Sequence, residues 1–272
     1  MGLWEATDSE HCVLLTELCD QGELFDTIVE YEAGLPADMA RDFFFKITSA
    51  LSHMHDKRVA HRDVKAENVL LDSRGNPKLI DMGLAFIEHE MAASGASDPN
   101  VGRRGLATTK VGSMMYAAPE VVHPRSEGAH YDPYAADMWS LGVLLYCMLQ
   151  GLFPFRIAIA ELCPAYAHYL ERGTLPWRAP FPAEAAEAAL RKLLCVSADE
   201  RITARAALAE AWLSAPSGAP ARPMPPAGAP VDADLPPARK RTVDELEGAA
   251  VVADGPDGCL LYTSPSPRDG LL

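Results

Sequence analysis

Long hydrophobic runs, paired cysteines and an excess of positive charge are all missing from this 272-residue sequence. The most apolar stretch, Met138 to Leu149, contains Ser140 and Gly142 and is soon followed by Pro154. A bilayer-spanning helix needs roughly 20 apolar residues, so this shorter stretch reads as a buried core helix. The N-terminal residues show no basic segment ahead of an apolar one, so a secretory leader is not expected. Ala6 stands where a myristoylation signal carries Ser or Thr. Six cysteines occur without a C-x-x-C pair, which argues against a zinc cluster or a disulfide framework and for a reducing, cytoplasmic setting. With 24 basic residues against 38 acidic ones, no global basic field exists to attract nucleic acid or an anionic membrane. No internal repeat is found.

What is there suits a folded domain. A 49% hydrophobic, 23% charged chain of this length can bury a sizeable core. Val13-Leu-Leu-Thr-Glu-Leu18 reads as a short buried strand, and Gly22-Glu23 leads into a helical pattern through Ile28. Residues 37–55 place Phe43, Ile47, Ala50, Leu51 and Met54 on one face of a helix. Val69-Leu-Leu71 and Lys78-Leu-Ile80 are strand candidates joined by the turn formers Asp72-Ser-Arg-Gly-Asn-Pro77. Residues 91–105 are small, polar and glycine-containing and read as a mobile loop. From 137 to 213 helices dominate, with breaks at Pro154, Pro164 and around Pro176 to Pro182. Eight of the 22 prolines then fall between Ser214 and Pro237, and apolar periodicity disappears, so 214–258 is expected to be disordered.

Three chemistry-bearing signals follow in order. His61-Arg62-Asp63-Val64-Lys65-Ala66-Glu67-Asn68 lies between the long helix and the strand pair. Asp81-Met82-Gly83 directly follows Lys78-Leu-Ile80. Ala118-Pro119-Glu120 is followed by Asp137-Met-Trp-Ser-Leu-Gly142. Each alone is weak, because a loop Asp often only caps a turn and an Asn often only satisfies backbone. As an ordered set, with Asn five residues after Asp and an acid capping a strand, they strongly resemble the eukaryotic protein kinase signature. The resemblance runs from Leu3 to about Leu213. It implies an α+β, protein-kinase-like fold: residues 1–22 as a remnant of N-lobe strands and hinge, and 23–213 as a mostly helical C-lobe with short β-hairpins. The N-lobe is largely missing from that expectation. The segments Glu-Leu-Cys-x-x-Gly-Glu-Leu-Phe and Lys-Ala-Glu-Asn-Val-Leu-Leu-Asp look like those of calcium/calmodulin-dependent and AMP-activated-like kinases.

The resemblance implies a serine/threonine protein kinase using ATP and Mg2+ on protein substrates. Asp63 would orient the hydroxyl and accept its proton, with Lys65 as a point charge near the γ-phosphate. Asn68 and Asp81 supply the hard oxygens that magnesium prefers. Glu17-Leu18-Cys19 resembles the hinge that hydrogen-bonds adenine through backbone groups, with Thr16 guarding the pocket and Leu70 as its floor; core packing is the plain alternative for this apolar strand. Glu23 and Glu67 match two acids that in basophilic kinases contact an arginine three residues before the target hydroxyl. For Glu23, contact with ribose or solvent is the alternative. Arg62 precedes the catalytic Asp as in kinases switched on by loop phosphorylation, with Thr109 as phosphosite, Thr108 as its rival, and an upstream kinase or autophosphorylation as the source. Ser113 would contact Asp63 and Lys65. Glu120 and Arg201 match a buried ion pair. Asp137 looks like the acid that holds the His61-Arg62 backbone, or else is an ordinary first-turn acid. His53 and His55, two apart on a helix, point to different faces and do not read as a metal pair.

The sequence departs from the family at Met82, where Phe is usual. Met can still stack under His61, with less rigidity. No glycine-rich loop or strand lysine precedes Glu17, so the chain as written is expected to bind ATP poorly. A catalytically inactive, pseudokinase-like interaction lobe is the alternative, although a lobe kept only for binding needs none of Asp63, Lys65, Asn68 and Asp81. Arg239-Lys-Arg-Thr242 is a candidate autophosphorylation or pseudosubstrate segment, or a solvated basic cluster. Residues 259–272 look like a non-native, adapter-derived tail, the alternative being a native Ser-Pro tail. The residues from Ser214 onward hold eight acids and five bases, so −11 of the −14 net charge sits on the part before them.

Overall fold

Two helices of opposite character, one amphipathic and one apolar on every side, organise the chain. The computed structural model describes residues 4–7, 12–31, 33–88, 112–123, 130–178, 184–214, 251–254 and 260–263. In chain order the elements are β1 (Trp4–Thr7), β2 (Cys12–Leu15), α1 (Leu24–Glu30), α2 (Ala37–Asp56), β3 (Val59–Ala60), β4 (Val69–Leu71), β5 (Pro77–Leu79) and β6 (Phe86–Ile87). Then come α3 (Pro119–Val122), α4 (Pro133–Gln150), α5 (Pro164–Arg172), α6 (Glu184–Leu193), α7 (Ala204–Ala207), α8 (Ala211–Ser214), β7 (Val251–Asp254) and β8 (Leu260–Thr263). Strands pair only as antiparallel twos among the described residues: β1 with β2, β3 with β6, β4 with β5, and β7 with β8. The result is the helix-rich α+β architecture with short hairpins that the sequence implies.

The long helix α2 buries Ala40, Phe43, Phe44, Ile47, Thr48, Leu51 and Ser52, a stripe at the spacing of one helical face. The Thr48 hydroxyl donates to the Phe44 carbonyl at 2.6 Å, so its burial leaves no orphan donor. The other helix, α4, is buried at every residue except Tyr134 and Ser140. Its start is set by the Asp132 carboxylate, which accepts from the backbone N–H of Tyr134 and Ala135 at 2.8 and 3.2 Å. Pro133 occupies the first helical position, where no intrahelical donor is lost. Gly142 lets α6 approach: a Cβ there would lie 2.8 Å from the Leu193 Cβ. Pro164, expected as a break, instead opens α5 at the same kind of first-turn position.

Three other expectations shift. The strand read as Val13–Leu18 ends at Leu15, and Leu18 is 80% exposed, so its apolar side chain is not core. The helix after Glu23 runs on to Glu30. Within the stretch read as disordered and its neighbour, β7 and β8 pair in register from Val251↔Thr263 to Asp254↔Leu260. Val, Leu, Tyr and Thr favour the pleated conformation there. The expected loop at 91–105, Thr108, Thr109, Arg239 to Thr242 and the rest of the tail lie outside the described residues.

The β4–β5 turn is built by one carboxylate. Asp72 Oδ1 accepts from the backbone N–H of Arg74 at 2.9 Å and of Asn76 at 2.8 Å, and the Asn76 amide reaches both oxygens at 3.2 Å. Burial works against ionisation, yet these donors, with Lys78 at 3.6 Å, hold its pKa down at about 2 against an ordinary 3.8. A carboxyl lowered on folding stabilises the fold above its ordinary pKa and ceases to do so as pH falls through the folded value. The urea stability difference between the wild type and Asp72→Asn should therefore be flat near neutrality and close between about pH 4 and pH 2.

Candidate active site

The segment between β3 and β4 folds back on the start of α4. Asp137, 1% exposed, sits one turn inside that helix and not at its cap, which is Asp132. Its two oxygens accept from the backbone N–H of His61 at 2.8 Å and of Arg62 at 2.7 Å. This fixes Arg62 at a φ of 65°, in the left-handed region that bulky side chains avoid. The buried His61 ring receives the Asp63 N–H on Nδ1 at 3.2 Å, so its proton is assigned to Nε2, which reaches the Ile80 carbonyl at 2.9 Å. Loop and β5 end are thereby locked together. Met82, expected to stack beneath His61, is 47% exposed, and it is the Ile80 carbonyl that holds the histidine ring edge.

The turn delivers Asp63 into a cluster of donors. Oδ2 accepts from Lys65 Nζ at 2.8 Å and from Asn68 Nδ2 at 2.9 Å. Oδ1 accepts from the backbone N–H and the hydroxyl of Ser113, both at 3.1 Å. Lys65 also donates to the Ser113 hydroxyl at 3.1 Å. Burial alone would raise the Asp63 pKa, but the Lys65 hydrogen bond and charge, then Asn68 and Ser113, outweigh it and lower the carboxyl below its usual range. Gly112 makes the approach of Ser113 feasible: its φ is 97°, and a Cβ there would lie 2.5 Å from the Arg62 carbonyl.

Two further side chains offer oxygen ligands, Asn68 within this cluster and Asp81 just after β5. The Asn68 amide nitrogen is spent on the Asp63 carbonyl at 2.8 Å and on its carboxylate, which leaves Oδ1 as the ligand atom. Asp81 is exposed and left-handed at φ 64°, with Oδ1 accepting from the Gly83 N–H at 3.0 Å. Its second oxygen is not drawn into that turn. A carbonyl and a carboxylate fit the hard-cation preference of Mg2+. Among the described residues, no group of three or more His, Cys, Asp or Glu side chains could hold a metal.

The expected nucleotide-side residues line the same strand pair. Glu23 bridges to Leu70 on β4, and Gln21 N–H and Gly22 carbonyl pair with Leu71. Thr16 and Glu17 are exposed, Cys19 is half-buried, and Glu17 pairs with Lys78 on β5 at 2.8 Å. Burial, then the Glu17 charge, pushes the Cys19 thiol up, which disfavours a reactive thiolate. Glu67 carries a buried oxygen, Oε2, with no hydrogen-bond partner. Burial raises its pKa, and the nearby Glu23 charge adds to the rise.

Glu120 and Arg201 meet as expected. The guanidinium, 0% exposed, makes two parallel contacts with the carboxylate at 2.7 and 3.0 Å. It also donates to the carbonyls of Ala135 and Cys195 and lies 5.2 Å over the Trp139 ring. Three contributors escaped the sequence reading. His55 Nε2 reaches Asp137 at 2.9 Å, so a residue weighed only as a metal ligand belongs to the anchor. The buried Tyr116 hydroxyl accepts from Ala66 N–H at 3.4 Å, and Ser140 donates to the Tyr116 carbonyl at 2.8 Å. Nothing in local periodicity marks them, because each partner lies 24 to 82 residues away.

Comparison with known proteins gives a consistent picture. Residues 3–213 match the family model described as the protein kinase domain. The chain is 33% identical over 201 residues to CBL-interacting serine/threonine-protein kinase 26 of Arabidopsis thaliana, covering 73% of this chain and 41% of that protein. It is 33% identical over 213 residues to calcium/calmodulin-dependent protein kinase type 1 of Macrobrachium nipponense, covering 76% and 55%. NUAK family SNF1-like kinase 2 of Homo sapiens is 39% identical over 148 residues, covering 54% and 21%. The chain thus spans less than two thirds of these relatives.

Removing one partner of the enclosed pair strands the other charge. Glu120→Ala should lower unfolding free energy by about 3–5 kcal/mol in urea titration, and adding Arg201→Met should recover part of that loss.

Proposed function

The chain belongs to the protein kinase domain family, and from that premise we propose that it works in transfer of the ATP γ-phosphate to serine or threonine hydroxyls of proteins. The supporting observation is Asp63, held ionised and aimed by Lys65, Asn68 and Ser113 within one shell of hydrogen bonds. In such a reaction Asp63 orients the incoming hydroxyl and takes its proton, while Lys65 supplies positive charge beside it. Bound Mg2+ would neutralise phosphate charge, and Asn68 and Asp81 are the residues that would hold it. Glu23, Leu70 and the Glu17 to Cys19 backbone make the nucleotide side of the reading. Asp63, Lys65, Asn68 and Asp81 supply the hydroxyl-facing and metal-facing half of that chemistry.

A preference for basic substrates belongs to the same reading. The orphan oxygen of Glu67, with the Glu23 charge nearby, is an acceptor that an arginine side chain would complete. Thr109 is the proposed phosphosite, with Arg62 as its reader and an upstream kinase or autophosphorylation as its source. The reading places this activity in the cytoplasm.

Transfer of labelled γ-phosphate to a serine peptide with arginine three residues upstream, with Mg2+ and with chelator, tests the proposal. Asp63→Asn should lower kcat by about 10²–10⁴-fold, the scale of losing a positioned acid–base group. Asp81→Asn should raise the Mg2+ requirement. Glu67→Gln should raise KM for the arginine peptide and leave KM for its alanine counterpart unchanged. Transfer indifferent to Asp63→Asn would overturn the enzymatic reading, and no transfer by the wild-type chain would favour an interaction lobe.

A further inference from the structure

A second concavity, of about 940 Å³, lies away from Asp63, between the α4–α5 connection and the segment after α6. Its volume is at the upper end of the range for sites that enclose a ligand of several side chains' bulk. Two features distinguish its lining. Leu170 at 46% and Val196 at 42% are exposed apolar side chains on it, and Leu162, next in sequence to the lining Glu161, is 65% exposed. Leu170 and Val196 are thus two of the nine large apolar side chains that the described residues leave exposed, and both face this one groove. Scattered singly, such residues mean little; gathered around a groove they mark a contact surface.

Among the described residues, the exposed charged side chains on the lining itself are of one sign. Glu161, Asp199 and Glu200 are exposed on the lining, and no lysine or arginine lines the groove among the described residues. Glu120, at the inner wall, is already matched by Arg201. A partner must therefore bring apolar anchors for Leu170 and Val196 together with cations for the three acids. An acidic or neutral apolar segment would leave those carboxylates desolvated without partners, which costs more than the apolar contact returns.

We infer that this groove docks a basic, amphipathic segment of a partner protein, at a surface separate from Asp63. Apolar side chains at helical spacing would enter between α5 and the 195–200 segment, and lysines or arginines on the flanks would meet Glu161, Asp199 and Glu200. The inference rests on the groove alone and stands whether or not the chain transfers phosphate.

The test uses the full chain and a ~15-residue leucine/lysine amphipathic peptide, with its leucine/glutamate counterpart as control. By fluorescence anisotropy the lysine peptide should bind at least tenfold tighter than the control, and more weakly as salt is raised. Leu170→Ser with Val196→Ser, and separately Glu161→Lys with Glu200→Lys, should each weaken it at least tenfold, while charge reversal at the remote Glu30 and Asp42 should not. Four results would overturn the inference: unchanged affinity in both groove variants; equal binding of the two peptides; a tenfold gain on replacing Arg239, Lys240 and Arg241 with alanine, which would make the chain's own basic segment the occupant; or a self-association of the chain that the groove variants abolish, which would make it a second copy.

Discussion

The hydrogen bonds from the His61 and Arg62 backbone to the buried Asp137 carboxylate are the constraint on which the site depends. They hold the backbone of an arginine at φ 65°, a conformation that costs on the order of 1–2 kcal/mol for a side-chain-bearing residue. Charge-assisted bonds contribute about 1.5–3 kcal/mol each, so two of them outweigh the strain. The His55 imidazole, on the same carboxylate at 2.9 Å, ties the end of α2 into the arrangement. Because Asp63 follows Arg62 directly, the direction of its carboxylate is inherited from this contact.

The same helix carries the second anchor. Trp139, two residues beyond Asp137, lies under the Arg201 guanidinium, and the Ala135 carbonyl accepts from it. The segment around Glu120 is tied to this point, while the Tyr116 carbonyl is tied to Ser140, one residue further on. The turn carrying Asp63 and the segment carrying Ser113 are thus referenced to one turn and a half of a single buried helix. A helix that is apolar all round makes a good reference, since burial on every side leaves it no direction in which to shift.

Much of this was legible in the sequence where information is local. The stripe on α2, the Asp72 turn and the buried character of Met138–Leu149 follow from periodicity and turn chemistry within a few residues. The ordered motifs identified Asp63, Lys65, Asn68, Ser113, Glu120, Asp137 and Arg201; the structure brings the first four together, pairs Glu120 with Arg201, and sets Asp137 under the Arg62 backbone. What was not legible is pairwise and distant. His55 finds Asp137 across 82 residues, and Tyr116 finds Ala66 across 50. The exposure of Leu18 and Met82 was equally hidden, because an apolar side chain signals burial only when something packs on it.

The hydrogen-bond count around Asp63 says how the site can be loaded. Lys65 has three ammonium protons and spends two, on Asp63 at 2.8 Å and on Ser113 at 3.1 Å, so the third can meet an anionic group without breaking either contact. Asp63 Oδ1 holds two donors, the Ser113 N–H and hydroxyl. An arriving hydroxyl needs to displace only the second of these. The displaced Ser113 hydroxyl keeps its bond from Lys65, and an O–H donor to carboxylate is exchanged for another of the same kind. Such an exchange is close to neutral in free energy, since bonds broken and made match in type. The carboxylate therefore stays ionised and aimed through that exchange, and the cost of orienting it is met in folding, at Asp137.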